Sequence, residues 1–85
     1  MDLTQEFEQA IADSKLLPEK PSNQVLLKIY SLYKQATEGD FSGEIPSNPF
    51  DIVGIAKANA WKDQSGKSKE HAMKEYVELI RSLNG

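Results

Sequence analysis

Tyr30, Tyr33 and Lys34 fall within one short run, Ile29-Tyr30-Ser31-Leu32-Tyr33-Lys34-Gln35-Ala36-Thr37-Glu38-Gly39-Asp40, and Lys57 precedes Trp61 by one helical turn further along. At about 100° per residue, Leu26, Ile29 and Tyr33 share one side of a helix, while Leu27, Tyr30 and Lys34 follow along an adjoining edge. An edge that passes from apolar to aromatic to cationic suits a ligand that is greasy at one end and anionic at the other.

Other chemistry is poorly provided for. His71 is the only histidine and there is no cysteine, so a base with a positioned partner, a thiol nucleophile and a cysteine-based zinc site are all lacking. The acidic residues spread over outer faces at mixed spacings, as solubility and helix pairing require. Gly66-Lys67-Ser68 resembles the end of a phosphate-binding loop, but Trp61 stands where that motif needs its first glycine, and no strand precedes it. Acyl carrier proteins, also small acidic helical bundles, attach their prosthetic group to the serine of an Asp-Ser-Leu motif opening the second helix. The nearest match, Asp13-Ser14-Lys15, has the wrong third residue and closes the first helix. No enzyme, metal site or cofactor is expected.

The 85 residues carry 13 acidic and 10 basic side chains, a formal net charge of -3, which argues against a general nucleic-acid binder. A chain this short makes one domain, 1–85, burying on the order of 60% of its unfolded surface. Neither a signal segment nor a membrane-length apolar run is present, and Asp2 stands where myristoylation needs glycine. The expectation is a cytoplasmic monomer.

The elements that must position the run read clearly. Leu3, Phe7, Ala10 and Ile11 form one apolar stripe, predicting a helix from about Leu3 to Ser14, with Lys15 at its C-terminus where the macrodipole favours a cation. Pro18 and Pro21 impose a rigid connector. Ser22 or Asn23 can cap a second helix from about Asn23 to Glu38, stopped by Gly39. Its apolar positions cover more than half the wheel, so it is either central or keeps one face for a ligand. Phe41 through Phe50, with Gly43, Pro46 and Pro49, is a long loop of the kind that supports a site. Asp51 caps a third helix to about Lys62 or Asp63, in which Trp61 is expected to be a core anchor. After the Gln64-Ser65-Gly66-Lys67 break, Ser68 caps a fourth, whose Ala72, Met73, Tyr76, Val77, Ile80 and Leu83 make the cleanest stripe, ending at Asn84-Gly85. The fold class is all-α: a four-helix bundle with a long loop between helices 2 and 3.

Tyr30 through Asp40 resembles the signature segment of the acyl-CoA-binding protein family. Agreement extends to Phe7 and Ala10, Leu26-Leu27, Gly54 with Ala56-Lys57, Ala60-Trp61, Gly66 with Ser68-Lys69-Glu70, and Ala72-Met73-Lys74 running into Tyr76. The resemblance implies an up-down-down-up bundle whose long loop spans two parallel helices. It also implies non-covalent binding, buffering and intracellular transport of medium- to long-chain fatty acyl-CoA esters. Carried over position by position, the contacts are Lys15, the segment Tyr30, Ser31, Leu32, Tyr33 and Lys34, then Lys57 and Tyr76. Tyr30, Lys34 and Lys57 group around the adenine and 3'-phosphate, and Leu26 and Leu27 lie near the acyl chain. Tyr33 and Tyr76 are also expected to belong partly to the core.

The residue types suit that ligand. An aromatic face stacks on adenine for roughly 1 to 3 kcal/mol, and a lysine at a phosphate makes a charge-assisted hydrogen bond about twice as strong as a neutral one. Departures from the family pattern are Ala58, where many members carry an aromatic residue, Lys28 in place of a hydrophobic one, and a loop through Ser47-Asn48-Pro49-Phe50 one residue longer than in many animal members. Expected partners are long-chain acyl-CoA, acyl-CoA-using enzymes and transient membrane surfaces, with no nucleic acid. The alternative is a helical protein-interaction module whose Leu27, Tyr30 and Tyr33 hold a partner helix; it leaves the lysine pair without a purpose.

Overall fold

Capping groups close to each helix in sequence fix where it begins and ends. The computed structural model describes residues 2–84, in which α1 (Leu3–Ser14), α2 (Asn23–Glu38), α3 (Ile52–Lys62) and α4 (Lys69–Asn84) follow one another with no strand among the described residues. Gly85, part of the expected terminus, lies outside them. Asp2 accepts the Gln5 backbone N–H at 2.8 Å while Gln5 accepts that of Asp2 at 3.3 Å, a reciprocal box that satisfies two free donors of α1. Of the two candidate caps for α2, Ser22 serves, its Oγ accepting from Val25 at 3.3 Å. Asp51 and Ser68 do the same for α3 and α4, through Gly54 and His71 respectively. Gly39, at φ +84°, turns the chain out of α2 in a region that side chains disfavour.

The helices pack as a row, with α1 against α4, α4 against α2, and α2 against α3. The slab is 41 × 28 × 15 Å. The breadth of the apolar surface on α2 is thereby accounted for, because this helix has a neighbour on each side. Phe7, Ala10, Leu32, Ala36, Ala72, Tyr76, Val77 and Ile80 form the core where α1, α2 and α4 meet, with Phe7 edge-on to Tyr76 at 5.1 Å.

Directions follow from which ends touch. Trp61, near the end of α3, donates its Nε1–H to the carbonyl of Gly39 just beyond α2 at 2.9 Å, while Ile52 and Val53 at the start of α3 share a cleft with Asn23 and Leu26 at the start of α2. Hence α2 and α3 run parallel, and residues 39–51 carry the chain back along their length. By contrast, Gly39 approaches Lys69 and Tyr33 approaches Tyr76, so α4 is antiparallel to α2. The last three legs of the bundle are therefore down, down and up. Trp61 departs from its expected role as a core anchor. It is half-buried outside the core cluster, set edge-on to Phe41 at 5.1 Å, and its indole ties the long loop to the end of α2.

Candidate functional site

Parallel packing of α2 on α3 leaves a cleft of about 350 Å³ between their N-terminal halves. Its walls are Leu26, Leu27 and Tyr30 from α2 and Ile52, Val53 and Ala56 from α3, with Asn23 at one end and Lys57 at the other. Ile52 and Val53 are 74% and 65% exposed, well beyond what a helix core tolerates, because α3 has a neighbour on one side only. The adjoining Phe50 is 88% exposed. An apolar trough with few, clustered polar groups is the ordinary form of a small-molecule site.

The cationic end is built from two helices. Lys57 Nζ lies 5.1 Å from the centroid of the Tyr30 ring, a cation–π distance that holds the ammonium beside an aromatic face. One turn further along α2, Lys34 Nζ stands 5.4 Å from the Trp61 ring centroid and donates to Glu38 at 2.6 Å. That hydrogen bond raises the Lys34 pKa against the opposing effect of desolvation, so the group is cationic at neutral pH. Tyr30 and Lys57 thus close one end of the apolar cleft, while Lys34 lies one turn further along α2, beside Trp61 of α3 and outside the cleft's lining.

Other members of the expected set are placed differently. Lys15, the cap residue at the end of α1, lines a separate hollow of about 410 Å³ with Leu17, Pro21 and Ile29, and Leu26 borders both hollows. Ser31 and Leu32, expected among the ligand contacts, are each 1% exposed and lie off the cleft's lining. Leu32 belongs to the core, while Ser31 Oγ donates to the Lys28 carbonyl and accepts from Gln64 Nε2. Tyr76 is likewise buried, and burial raises its phenol pKa. Tyr33 stacks on Phe7 at 6.2 Å with one side open to solvent. Leu27 and Tyr30 therefore face α3 while Tyr33 faces α1 and α4, so the three do not form the single docking surface of the interaction-module alternative. Ala58, at the usually aromatic position, is buried.

Sequence reasoning did not pick out Asn23, Ile52, Val53 or Ala56 as lining residues. The available signal was an excess of apolar residues, Ile52, Val53, Ile55, Ala56 and Ala60, on a helix too short to sit in the middle of a bundle. The Gly66-Lys67-Ser68 turn has a structural role. Gly66 N–H and Gln35 Nε2 both donate to Asp40 Oδ1, at 2.9 and 2.8 Å, which lowers the Asp40 pKa and fills the place an anion would take. Lys67 bonds Gln64 and Glu75, and among the described residues no group of acids and histidines is arranged to hold a metal.

Known proteins resemble this chain over nearly its whole length. Residues 4–80 match the family described as Acyl CoA binding protein. Acyl-CoA-binding protein homolog 1 of Caenorhabditis elegans is 43% identical over 81 residues, spanning 95% of this chain and 93% of the worm protein. Enoyl-CoA delta isomerase 2 of Rattus norvegicus is 45% identical over 80 residues, but the match covers only 20% of that enzyme. Among solved structures, the crystal structure of Oryza sativa Acyl-CoA-Binding Protein 2 superposes with a TM-score of 0.90 at 40% identity, over 96% of this chain and 90% of the rice chain.

Proposed function

The chain belongs to the acyl-CoA-binding protein family, and from that premise we propose that it binds fatty acyl-CoA esters non-covalently, buffers them and carries them between the enzymes that make and use them. The observation that carries the reading is the α2–α3 cleft, apolar along Leu26, Leu27, Ile52 and Val53 and ending at the Tyr30 ring and the Lys57 cation, with the Lys34 cation one turn further along α2. The acyl chain lies in the apolar part, and the adenine and 3'-phosphate meet Tyr30, Lys34 and Lys57. Lys15 serves from the neighbouring hollow, reached across Leu26. Tyr33 and Tyr76 act from behind, through packing that holds α2 in place.

The energetics favour recognition of both ends of the ligand. Each buried methylene contributes about 0.8 kcal/mol, so eight give a ceiling of about 6 kcal/mol before lost chain freedom is deducted. The nucleotide end adds charge-assisted hydrogen bonds that a free fatty acid cannot make. The protein catalyses no step itself, and the isomerase similarity supports no catalytic assignment because it is confined to a fifth of that enzyme. No helix among the described residues is long and apolar enough to cross a membrane; we place the protein in the cytoplasm, as a monomer, meeting membranes only in passing.

Calorimetric titration with palmitoyl-CoA, free CoA and palmitate tests the function. The ester binds tightly at one per chain, CoA much more weakly, and palmitate hardly at all. Absence of saturable binding to the ester would overturn the reading.

A further inference from the structure

Lys34 is engaged in the free protein. Glu38 Oε2 accepts its ammonium at 2.6 Å, and the ammonium also stands over Trp61. Glu38 itself is poorly placed for stability. It is the last residue of α2, where the helix presents its negative end, and an acid there is disfavoured. Its side chain is 53% exposed, and among the described residues it has no ion pair other than Lys34. An acid so placed at the helix end, yet occupying a lysine one turn beyond the Tyr30 end of the cleft, is better explained by what it does to that lysine.

We propose that Glu38 is an affinity-setting residue, an internal carboxylate that competes with the 3'-phosphate of CoA for Lys34 and so weakens ligands carrying that phosphate. The inference rests on the reading that Lys34 meets the 3'-phosphate, and it adds to that reading the identity of the competitor. When the phosphate arrives, Lys34 turns from Glu38 to the ligand, and the released carboxylate remains beside a group of the same sign. Both effects oppose binding. Because the pair is exposed, each is modest and screened by salt. A charge at the rim of a site also acts on the approach of a charged ligand, so Glu38 slows loading.

Glu38→Gln keeps the size of the side chain and removes the charge. Calorimetry on this variant and the unsubstituted chain, with palmitoyl-CoA and its 3'-dephospho analogue at low and high ionic strength, separates the outcomes. Glu38→Gln tightens palmitoyl-CoA about two- to fivefold at low salt, leaves the dephospho ester unchanged, and loses its advantage as salt rises. Glu38→Asp keeps the negative charge and reproduces the weaker binding. Thermal unfolding checks that all variants are folded. Unchanged or weaker ester binding by Glu38→Gln overturns the proposal, as does an equal gain for the dephospho ester. If the unsubstituted chain binds both esters equally, the placement of the phosphate at Lys34 fails, and the competitor role fails with it. If it discriminates between them while Glu38→Gln changes nothing, the role of Glu38 alone is lost.

Discussion

Tyr30 through Lys34 shows how far a contiguous motif can be read as a surface. Five successive residues of a helix turn through about 400°, so they cannot all touch one ligand. In the structure Tyr30 faces α3, Ser31 and Leu32 are buried, Tyr33 packs toward Phe7, and Lys34 reaches Trp61. Four of the residues singled out in sequence, Leu26, Leu27, Tyr30 and Lys57, do line the cleft, whereas the division of the segment between core and surface awaited knowledge of which neighbour lies on which side. Variants separate the two roles. Lys34→Ala weakens palmitoyl-CoA by about 1 to 3 kcal/mol in calorimetry while leaving thermal unfolding unchanged. Leu32→Ala, which empties a fully packed position, lowers unfolding free energy by about 2 to 5 kcal/mol in urea titration. Ser31→Ala leaves ester affinity unaltered; a loss of affinity comparable to that of Lys34→Ala would restore Ser31 to the binding surface.

At the scale of elements, the starts of α2, α3 and α4 were legible because caps are local: Ser22, Asp51 and Ser68 each lie three residues before the backbone group they satisfy, as does Asp2, a cap of α1 that sequence reasoning did not name. What joins the elements was not legible, since it depends on partners far apart in sequence. Trp61 reaches Gly39, Gln64 reaches Ser31, and Asp40 reaches Gly66. The turn from α3 into α4 concentrates these ties, with Lys67 bridging Gln64 and Glu75. The hydrogen bond from Lys67 lowers the Glu75 pKa below its ordinary 4.5, outweighing desolvation. A carboxylate depressed in the folded state adds stability that is complete above its unfolded pKa and is lost as pH falls through the folded one. Acidification from neutral pH to below about 4.5 therefore removes stability from the native chain. Glu75→Gln flattens that part of the profile in urea titrations run at successive pH values. A variant losing stability as steeply as the parent would assign the acid sensitivity elsewhere, with Asp40 the next group to test because its pKa is lowered in the same direction.

For the molecule as a whole, the row order α1, α4, α2, α3 makes the two outer helices unequal. The inner face of α1 supplies Phe7 and Ala10 to the core, but α3 buries little beyond Ala58 and leaves Ile52 and Val53 in solvent. Local stability follows buried apolar contact, so α3 and the loop before it form the part of the fold that opens most easily. The same arrangement puts the proposed ligand cleft between a central and an edge helix, with Leu26, Leu27 and Tyr30 on the first and Ile52, Val53, Ala56 and Lys57 on the second. A ligand seated there supplies α3 with the apolar neighbour that no helix provides. A ligand that needs both helices in place stabilises the folded α3 by an amount that grows with the logarithm of its concentration over its dissociation constant. Amide hydrogen exchange reads this directly. In the free protein, amides of Ile52–Lys62 exchange faster than those of Asn23–Glu38 and Lys69–Asn84; with saturating palmitoyl-CoA, protection rises most in Ile52–Lys62, because opening that helix then requires release of the ligand. Exchange in α3 as slow as in α4 before ligand is added, or protection spread evenly over all helices after it, would contradict an edge helix held in place by its ligand.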